Sequence, residues 1–430
     1  MLIMFRVKNF ASFKDEIILD MRAVSYKDMK GHVLECGNNK VVKTLAIYGK
    51  NASGKSNLIS ALYYFESFVY NQFFDAGIRD DEVDYGKRMP NVKRSTFKLS
   101  EHVCNDSEFE IIFNYNDQTF QYGFVIHDIP EEKRTSIKEE WLMVDEKIVY
   151  DRSQDTISFG KKYESELKKI DIQRSDRLYL GVLDYFAEGE VKNIVDRFKE
   201  YLKSKLNVHF ELILESSVKG SFYIVGFSNR LVEDEEYRKT IEKFIKVADV
   251  GITGLSIEEN MDERTNDLYP YEIKTIHDVY DEAGVVTRQE KFELNMESSG
   301  TNRYFSFIQY ILNIIEDGGV FVVDEMSARL HPVLTKFIVD LFQGKMNKKA
   351  QLIFTTHDIS LMNRKQFRRD EIAFVEKNMR GISSLYTLAD IKTRSDASFS
   401  KDYLAGKYGA IPVFEEDVYK EMAGEWLCQD

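Results

Sequence analysis

The sequence predicts an α/β protein with a mixed sheet, and three observations lead to this prediction. A short apolar strand at residues 41–47 precedes a glycine-containing turn, and residues 58–70 then carry apolar side chains at helical spacing. From 95 to 157 apolar residues alternate with period two, which indicates a meander of antiparallel strands. Beyond Glu297, helical and extended segments alternate again. We therefore expect strand and helix units joined to an antiparallel β-subdomain.

The amino-terminal segment is also predicted to be extended. Residues 2–21 indicate two short strands around a turn near 9–14, because apolar residues alternate on either side of it. After the first predicted helix, residues 75–92 are polar and contain two glycines and a proline. This composition predicts an exposed loop.

The middle of the chain changes to mixed character. Apolar residues at helical spacing predict helices at 191–202 and 231–248, and alternation between them predicts a strand pair at 210–227. Extended segments return over 253–294, with a hairpin turn at Gly284. No sustained heptad pattern is present, so no long coiled-coil arm is predicted.

The turn that follows the strand at 41–47 carries the pattern G-x-x-x-x-G-K-S. Between a strand and a helix this pattern predicts a phosphate-binding loop, because the backbone N–H groups of the turn converge on phosphate oxygens. Lys55 is expected to reach the β- and γ-phosphates, and the Ser56 hydroxyl to bind Mg²⁺. We therefore expect the chain to bind a nucleoside triphosphate, with ATP and Mg²⁺ as cofactors. The predicted binding residues are Gly49, Lys50, Asn51, Ala52, Ser53, Gly54, Lys55, Ser56 and Asn57.

Two further predicted strands end in polar side chains. Residues 318–325 read GGVFVVDE, which places Asp324 to bind Mg²⁺ and Glu325 to accept a proton from an attacking water. Residues 351–357 read QLIFTTH, and His357 is expected to contact and orient the γ-phosphate. Both carboxylates and the histidine should meet at the edge of the sheet where the phosphate-binding loop lies.

A second predicted anion site opens the helix that follows Glu297. Residues 297–303 read ESSGTNR, and small hydroxyls with a glycine at a helix amino terminus can bind an anion. The alternative is that these residues only cap the helix. Because the chain already has one phosphate-binding loop, we expect instead that Ser298, Ser299 and Gly300 contact the γ-phosphate held by a neighbouring subunit. This predicts a homodimer, or a higher homo-oligomer, assembled through the nucleotide.

In this order, and together with SARLHP at 327–332, the motifs resemble the ABC-type ATPase head in the form found in RecF, SMC and OLD proteins. The segment VKNFASF near the amino terminus is similar to the opening strand of that group. The resemblance implies that Ser298, Ser299 and Gly300 form the signature motif and that His357 is the switch histidine. Two features depart from the pattern. Glu297 replaces an apolar residue, and neither Gln118 nor Gln121 is convincing as the Q-loop glutamine.

The carboxy-terminal segment extends the resemblance. Residues 399–412, FSKDYLAGKYGAIP, resemble the RloA/AbiL-like ATPases of bacterial phage-defence loci. The implied organisation is an amino-terminal half of the head over 1–160, a helical and β insertion lobe over 161–290, and a carboxy-terminal half over 291–430. The fold class expected is thus an ABC-ATPase-like head with a P-loop core and a helical insertion.

Composition limits the possible partners. The net charge of −13 argues against a general nucleic-acid coat, although residues 87–98 and 363–369 are locally basic. Apolar runs fall short of the roughly 18 residues that suggest a membrane span, and no secretory segment is evident. The three cysteines, at 36, 104 and 428, suit neither a disulfide framework nor a zinc site. A cytoplasmic protein without a membrane partner is expected.

Three functions fit an ATPase head of this type. The first is the ATPase subunit of an anti-phage, abortive-infection system that responds to DNA or a phage protein and controls a separate nuclease or toxin encoded nearby. The second is a RecF- or SMC-like ATPase acting on DNA. The third, a transporter ATPase, is disfavoured because 243 positions separate Lys55 from Ser298 (298 − 55). We expect the first, with slow, regulatory hydrolysis.

Overall fold

A computed structural model describes residues 1–26, 29–75, 93–132, 134–154, 156–172, 174–209, 229–249, 251–259, 271–392 and 398–411. The strands are β1 Leu2–Lys8, β2 Ile17–Asp20, β3 Val33–Cys36, β4 Asn39–Val42, β5 Thr44–Tyr48, β6 Asp106–Tyr115, β7 Gln118–Ile129, β8 Arg134–Val144, β9 Lys147–Ser153, β10 Thr156–Phe159, β11 Leu206–His209, β12 Ile252–Glu259, β13 Tyr271–Tyr280, β14 Val286–Glu293, β15 Gly319–Val323, β16 Ala350–Thr355, β17 Ile372–Lys377 and β18 Ser383–Thr387. The α-helices are α1 Lys55–Asp75, α2 Glu164–Leu167, α3 Tyr179–Phe186, α4 Gly189–Ser204, α5 Asn229–Glu233, α6 Glu235–Ala248, α7 Ser299–Asp317, α8 Pro332–Gln343 and α9 Phe399–Leu404.

A six-stranded central sheet has the order β11-β15-β16-β5-β17-β18. Its neighbouring strands are parallel except for β17 and β18, so the sheet is mixed. Every residue of β5, β15 and β16 is buried, as expected for strands covered on both faces. Because β15, β16 and β5 are parallel neighbours, their carboxyl ends lie together at one edge of the sheet.

A second, seven-stranded antiparallel sheet has the order β10-β9-β8-β7-β6-β1-β2 and contains the predicted meander. The buried side chain of Gln351, on β16, joins it to the central sheet. Its amide oxygen accepts the Leu2 N–H at 2.7 Å, and its amide nitrogen donates to the Leu2 carbonyl at 3.0 Å. Both polar ends of a buried amide are thus satisfied at the point where the two sheets meet.

Helix α1 packs between these sheets and against α3, so α3 helps to fix the helix that follows the glycine-rich turn. Glu140, on β8, is fully buried and holds the start of α3 by accepting the N–H groups of Tyr179 and Leu180 at 2.6 and 3.0 Å. It also accepts the hydroxyls of Tyr122 and Tyr150. Desolvation raises the pKa of Glu140, while these donors favour its ionised form.

The region predicted as an insertion contains helices α2 to α6 and the three-stranded sheet β12-β13-β14. Its strand β11 pairs in parallel with β15, so this part of the chain also supplies the edge of the central sheet. The division of the chain at 160 and 290 remains a prediction. The strand pair expected at 210–227 and most of the loop expected at 75–92 lie outside the described residues.

Two predicted elements are divided in the structure. The strand expected at 41–47 is interrupted at Lys43, because β4 turns away to pair with β3 while β5 enters the central sheet. The helix expected at 231–248 breaks at Asp234, whose carboxylate accepts the Tyr237 N–H at 3.0 Å and caps α6. The helix expected at 58–70 is longer than predicted, since α1 starts at Lys55 and ends at Asp75.

The predicted fold class is confirmed: an α/β protein with a mixed sheet, a P-loop core, an antiparallel β-subdomain and helices inserted between the two halves. This arrangement is the one expected of an ABC-ATPase-like head. Within the described part of the chain, no helix combines the length and apolar character needed to cross a membrane.

Candidate functional site

The glycine-rich turn between β5 and α1 is packed so closely that two of its positions require glycine. A Cβ atom at Gly49 would lie 2.4 Å from the Val375 carbonyl oxygen. At Gly54 it would lie 2.7 Å from the hydroxyls of both Ser12 and Ser383, and φ there is 114°. The G-x-x-x-x-G part of the motif is therefore explained by close backbone approach and by backbone conformation.

Two serines far apart in sequence support this turn. The Ser383 hydroxyl, at the start of β18, lies 2.5 Å from the Ser53 carbonyl oxygen and 2.8 Å from the Ser12 hydroxyl. Asn57, in the first turn of α1, donates to the Ser12 hydroxyl at 2.7 Å. The N-F-A-S-F turn of the sequence thus contributes a support for the loop. The role of Ser383 has no sequence signal.

Lys55 places a buried ammonium group inside the turn. Its Nζ donates to the carbonyls of Gly49 and Lys50 at 2.9 and 3.3 Å, and among the described residues it forms no ion pair. Burial lowers its pKa, whereas the charges of Asp324 and Glu325 act in the opposite direction. A buried cation without a carboxylate in contact, surrounded by a tight backbone turn, fits an anionic ligand such as a phosphate group.

The carboxyl end of β15 carries Asp324, whose carboxylate accepts the Thr355 hydroxyl at 2.5 Å. The same hydroxyl accepts the N–H of Glu325 at 2.7 Å, so one threonine on β16 fixes both residues of the predicted pair. A neighbouring bond joins the hydroxyls of Ser327 and Thr356 at 2.8 Å. The two acids follow from the sequence pattern, whereas the threonine that positions them has no signal in it.

Glu325 lies in the left-handed region, with φ at 48°, and its side chain is exposed. Its carbonyl oxygen accepts a hydrogen bond from the Arg303 guanidinium at 2.8 Å. Left-handed backbone is uncommon for a residue that is not glycine, and such residues cluster at functional sites. Arg303, on α7, was not anticipated. It lies only five positions beyond Ser298, but its target is on another element.

His357 follows β16 and is exposed at the same edge of the sheet. Partial burial lowers its pKa, the nearby charge of Lys55 lowers it further, and Glu325 and Asp324 oppose this effect. Because β15, β16 and β5 are parallel neighbours, the residues that follow their carboxyl ends lie at one edge of the sheet. Because its pKa falls below the usual value near 6.5, His357 is neutral at pH 7 and can donate an N–H.

The predicted signature residues lie at the amino terminus of α7. The Ser298 hydroxyl caps this helix by accepting the Thr301 N–H at 3.0 Å, and Ser298 and Ser299 are exposed. Gly300 approaches the chain so closely that a Cβ atom would lie 2.7 Å from the Arg329 carbonyl oxygen. Among the described residues, Ser298 forms its hydrogen bonds with Thr301 and Asn302 of α7, and Gly300 lies against the segment after β15.

The acidic residue before the signature has defined partners. The Glu297 carboxylate accepts hydrogen bonds from the Thr275 hydroxyl and, at 2.7 Å, from His277 Nε2. Both partners lie on β13 of the three-stranded sheet. The departure of Glu297 from the expected apolar type is thus explained by its anchoring to this sheet. Gln118 and Gln121, in contrast, lie on β7, where they contact Arg197 and Glu110 respectively.

The oxygen atoms of Asp324 and Ser56 are consistent with a magnesium ion that completes its coordination with phosphate oxygens. No three His, Cys, Asp or Glu side chains converge as a metal site within the described ranges. Magnesium in nucleotide sites needs only one or two protein ligands besides phosphates and water. Asp324 and Ser56 are the residues of this edge that would hold it.

A family model described as "AAA domain, putative AbiEii toxin, Type IV TA system" matches residues 45–363, about three quarters of the chain. The chain belongs to this family. This AAA-domain protein is accordingly a nucleotide-binding ATPase. The match spans the P-loop, the residues after β15 and β16, and the signature segment.

The AAA-domain protein also resembles solved structures at low identity. An SMC head bound to the C-winged helix domain of ScpA has a TM-score of 0.47 and 13% identity, covering 90% of this chain and 97% of that chain. An SMC head domain from Thermotoga maritima has a TM-score of 0.39 and 13% identity, covering 91% and 99%. A search of curated proteins finds no match.

We expect Thr355→Val to raise the magnesium concentration needed for half-maximal ATP hydrolysis, because Asp324 loses the hydroxyl that orients it. Loss of such a supporting hydrogen bond typically costs about 10- to 100-fold in metal affinity or activity. The measurement is hydrolysis rate against magnesium concentration. Thr335→Val is the matched control, since that buried hydroxyl makes no hydrogen bond within the described residues. Equal magnesium dependence in both variants would contradict the assignment.

Proposed function

We propose that this AAA-domain protein binds and hydrolyses ATP with Mg²⁺ at the carboxyl edge of its central sheet. The observation that carries the proposal is the parallel order of β15, β16 and β5, which brings Lys55, Asp324, Glu325 and His357 to one edge of the sheet, beside a turn in which two positions require glycine. The binding residues are Gly49, Lys50, Asn51, Ala52, Ser53, Gly54, Lys55, Ser56 and Asn57. Magnesium supplies charge neutralisation on the phosphates when it is bound by Ser56 and Asp324.

Each proposed role follows from local chemistry. Lys55 presents a positive charge to the β- and γ-phosphates, and the turn adds backbone N–H groups that need no reorganisation. The exposed carboxylate of Glu325 accepts the proton of an attacking water. Neutral His357 donates an N–H to the γ-phosphate and adds no second positive charge beside that of Lys55.

Glu325→Gln should separate binding from hydrolysis. Without a proton acceptor the rate should fall by about 10²- to 10⁴-fold, while ATP·Mg²⁺ affinity should stay near that of the wild type. Hydrolysis by Glu325→Gln within a few-fold of wild type would exclude Glu325 as the base.

Lys55→Ala should abolish tight ATP binding, measured by titration calorimetry, and should leave the circular-dichroism spectrum unchanged. Normal binding by Lys55→Ala would overturn the P-loop assignment.

We further propose that Ser298, Ser299 and Gly300 contact nucleotide held by a second copy of the chain. Two observations support this: Ser298 and Ser299 are exposed at a helix amino terminus, and among the described residues the hydrogen-bond partners of Ser298 lie on α7. A two-fold dimer of this kind encloses two nucleotides, each between the P-loop of one copy and the signature of the other. Higher homo-oligomers would be built on the same contact.

Ser298→Arg should bind ATP but neither hydrolyse it nor dimerise with it, because a long side chain would occupy the phosphate position. Ser298→Thr, which retains the capping hydroxyl, is the matched control and should keep most activity. The readouts are phosphate release and molar mass by light scattering in a Glu325→Gln background. Full hydrolysis by Ser298→Arg would refute a shared site.

The biological role that we propose is regulation in bacterial phage defence, in the RloA/AbiL-like group. The family description supports this, as does the folding of its characteristic carboxy-terminal motif onto the core. Tyr403, in that motif, packs 6.1 Å from the Tyr48 ring at the end of β5, and its hydroxyl donates to the Ala410 carbonyl. We propose a cytoplasmic ATPase that responds to DNA or a phage protein and controls a separate nuclease or toxin.

Cells that express this chain together with its neighbouring effector gene should survive phage infection better than cells that express either one alone. Because control is expected to require ATP turnover, Glu325→Gln and Lys55→Ala should each remove the protection. Plaque counts on these five strains provide the measurement. Protection or toxicity from this chain alone would place the effector activity within it. A RecF-like role would instead give a DNA-damage phenotype without phage protection.

A further inference from the structure

The side chain of Arg303 joins the helix that carries the proposed signature to the turn that follows β15. Arg303 lies in the second turn of α7, which begins at Ser299. Its Nη2 donates a hydrogen bond to the Glu325 carbonyl at 2.8 Å. The contact links two elements, since Glu325 follows β15 and Arg303 belongs to the helix before that strand. The residue proposed as the base is therefore attached to α7 through its backbone.

The direction of the Glu325 carboxylate depends on the backbone of that residue. Among the described residues the carboxylate makes no hydrogen bond or ion pair, so side-chain contacts do not fix it. The N–H of Glu325 donates to the Thr355 hydroxyl at 2.7 Å. Its carbonyl accepts the N–H of Ala328 at 2.9 Å as well as the Arg303 guanidinium. Thr355 and Arg303 thus tie the two peptide groups of this residue to β16 and α7.

The backbone conformation of Glu325 needs such support, because its φ of 48° lies in the left-handed region. A residue other than glycine is strained there, and the conformation persists only where surrounding contacts hold it. The bond from the Ala328 N–H closes the turn, but both of its partners belong to that turn. Arg303 supplies the support from a separate helix. Without it, the Glu325 carbonyl would lose its link to α7.

The guanidinium group of Arg303 is itself held in place. It lies 5.2 Å from the centre of the Phe307 ring, one turn further along α7. Phe307 is fully buried and packs edge-on against Phe321 of β15, with the ring centres 5.9 Å apart. A planar cation stacked on an aromatic ring loses less freedom when it donates a hydrogen bond. Arg303 therefore forms a pre-organised link between the core and Glu325.

Arg303 does not have the contacts of an arginine that only forms an ion pair. Among the described residues it pairs with no carboxylate, and its Nε is buried without a hydrogen-bond partner. Burial and the nearby charge of Arg329 lower its pKa, whereas the charges of Glu325 and Asp324 raise it. Partly buried cations usually contact a carboxylate. The use of this cation on a backbone carbonyl points to a role in the turn that carries both acids.

We infer that Arg303 is a positioning residue, which directs the Glu325 carboxylate towards the attacking water by holding the Glu325 carbonyl. The inference rests on the proposed function, in which Glu325 accepts the proton of that water. In this role Arg303 touches neither the water nor the nucleotide. A displacement of about 1 Å at a reacting group can cost about 10²-fold in rate. Loss of Arg303 should therefore lower turnover and leave nucleotide binding unchanged, because the P-loop is retained.

The test measures kcat and KM for ATP·Mg²⁺ in Arg303→Met, which keeps an unbranched side chain against Phe307 and removes the donor. We expect kcat to fall by about 10- to 100-fold and KM to stay within about threefold of the wild type. Arg303→Gln, whose shorter side chain cannot reach the carbonyl, should behave in the same way. It replaces the methionine variant if circular dichroism shows that variant to be unfolded. A wild-type kcat in either folded variant would overturn the inference.

A double-mutant cycle shows whether Arg303 acts through Glu325. Because Glu325→Gln removes the proton acceptor, adding Arg303→Met to it should change kcat by less than about twofold. A further fall as large as that caused by Arg303→Met alone would show that Arg303 acts elsewhere. By light scattering, the double variant should form the ATP-dependent dimer as Glu325→Gln does. Loss of the dimer in the double variant only would place the effect in the signature, and this too would overturn the inference.

Arg230→Met is the matched control. The Arg230 guanidinium also stacks on a ring, 4.4 Å from the centre of Tyr237, and it bonds to Glu316 at 2.5 Å near the other end of α7. Its kcat should stay within about twofold of the wild type, because exposed ion pairs contribute little. A fall equal to that of Arg303→Met would reduce both arginines to general support of the helix.

Failure of the proposed function would give a different pattern of rates. Hydrolysis by Glu325→Gln close to that of the wild type would remove Glu325 as the base, and with it the role of Arg303. Slow hydrolysis by Glu325→Gln together with wild-type hydrolysis by Arg303→Met would overturn only the role of Arg303.

Discussion

The hydroxyl of Thr355 joins two neighbouring strands of the central sheet at their carboxyl ends, where the nucleotide site is proposed. It accepts the N–H of Glu325 and donates to the carboxylate of Asp324, while the Thr355 carbonyl accepts the N–H of Met326 at 3.0 Å. Parallel pairing alone brings strand ends to one edge without determining how the chain turns there. These three bonds determine that turn. The position of the two acids therefore depends on β16 as much as on β15, which precedes them.

The P-loop could be predicted from sequence because its residues are contiguous and each has a distinct chemical requirement. Asp324 and Glu325 could be predicted because an apolar strand must deliver its last residues to a sheet edge. Ser383 and Thr355 could not, since serine and threonine are common residue types and their partners lie far away in the chain. The Lys43 interruption was missed for a similar reason. Apolar spacing across 41–47 is continuous, and only pairing with β3 shows where one strand ends.

The three-stranded sheet is linked to the signature segment by hydrogen bonds. Glu297 is anchored to Thr275 and His277, and Thr301 Oγ1 lies 3.4 Å from Asp249 Oδ2 at the end of α6. The start of α7 is consequently held by residues from the middle of the chain as well as by its own serine cap. A resemblance based on motif order predicts the signature but gives no information about this anchoring. The hydrogen bonds to Thr275 and His277 explain why an acidic residue occupies position 297.

Under the proposed role of Glu325 as the base, its left-handed backbone sets stability and chemistry against each other at one residue. Such a conformation costs a non-glycine residue about 1–2 kcal/mol, and glycine would adopt it without that cost. Variants selected only for thermal resistance would therefore tend to accumulate glycine at this position. Variants selected for turnover would retain a carboxylate, in spite of its conformational cost. A library screened for heat tolerance alone would thus enrich well-folded, inactive proteins. The residue frequencies at position 325 would then show which selection had been applied.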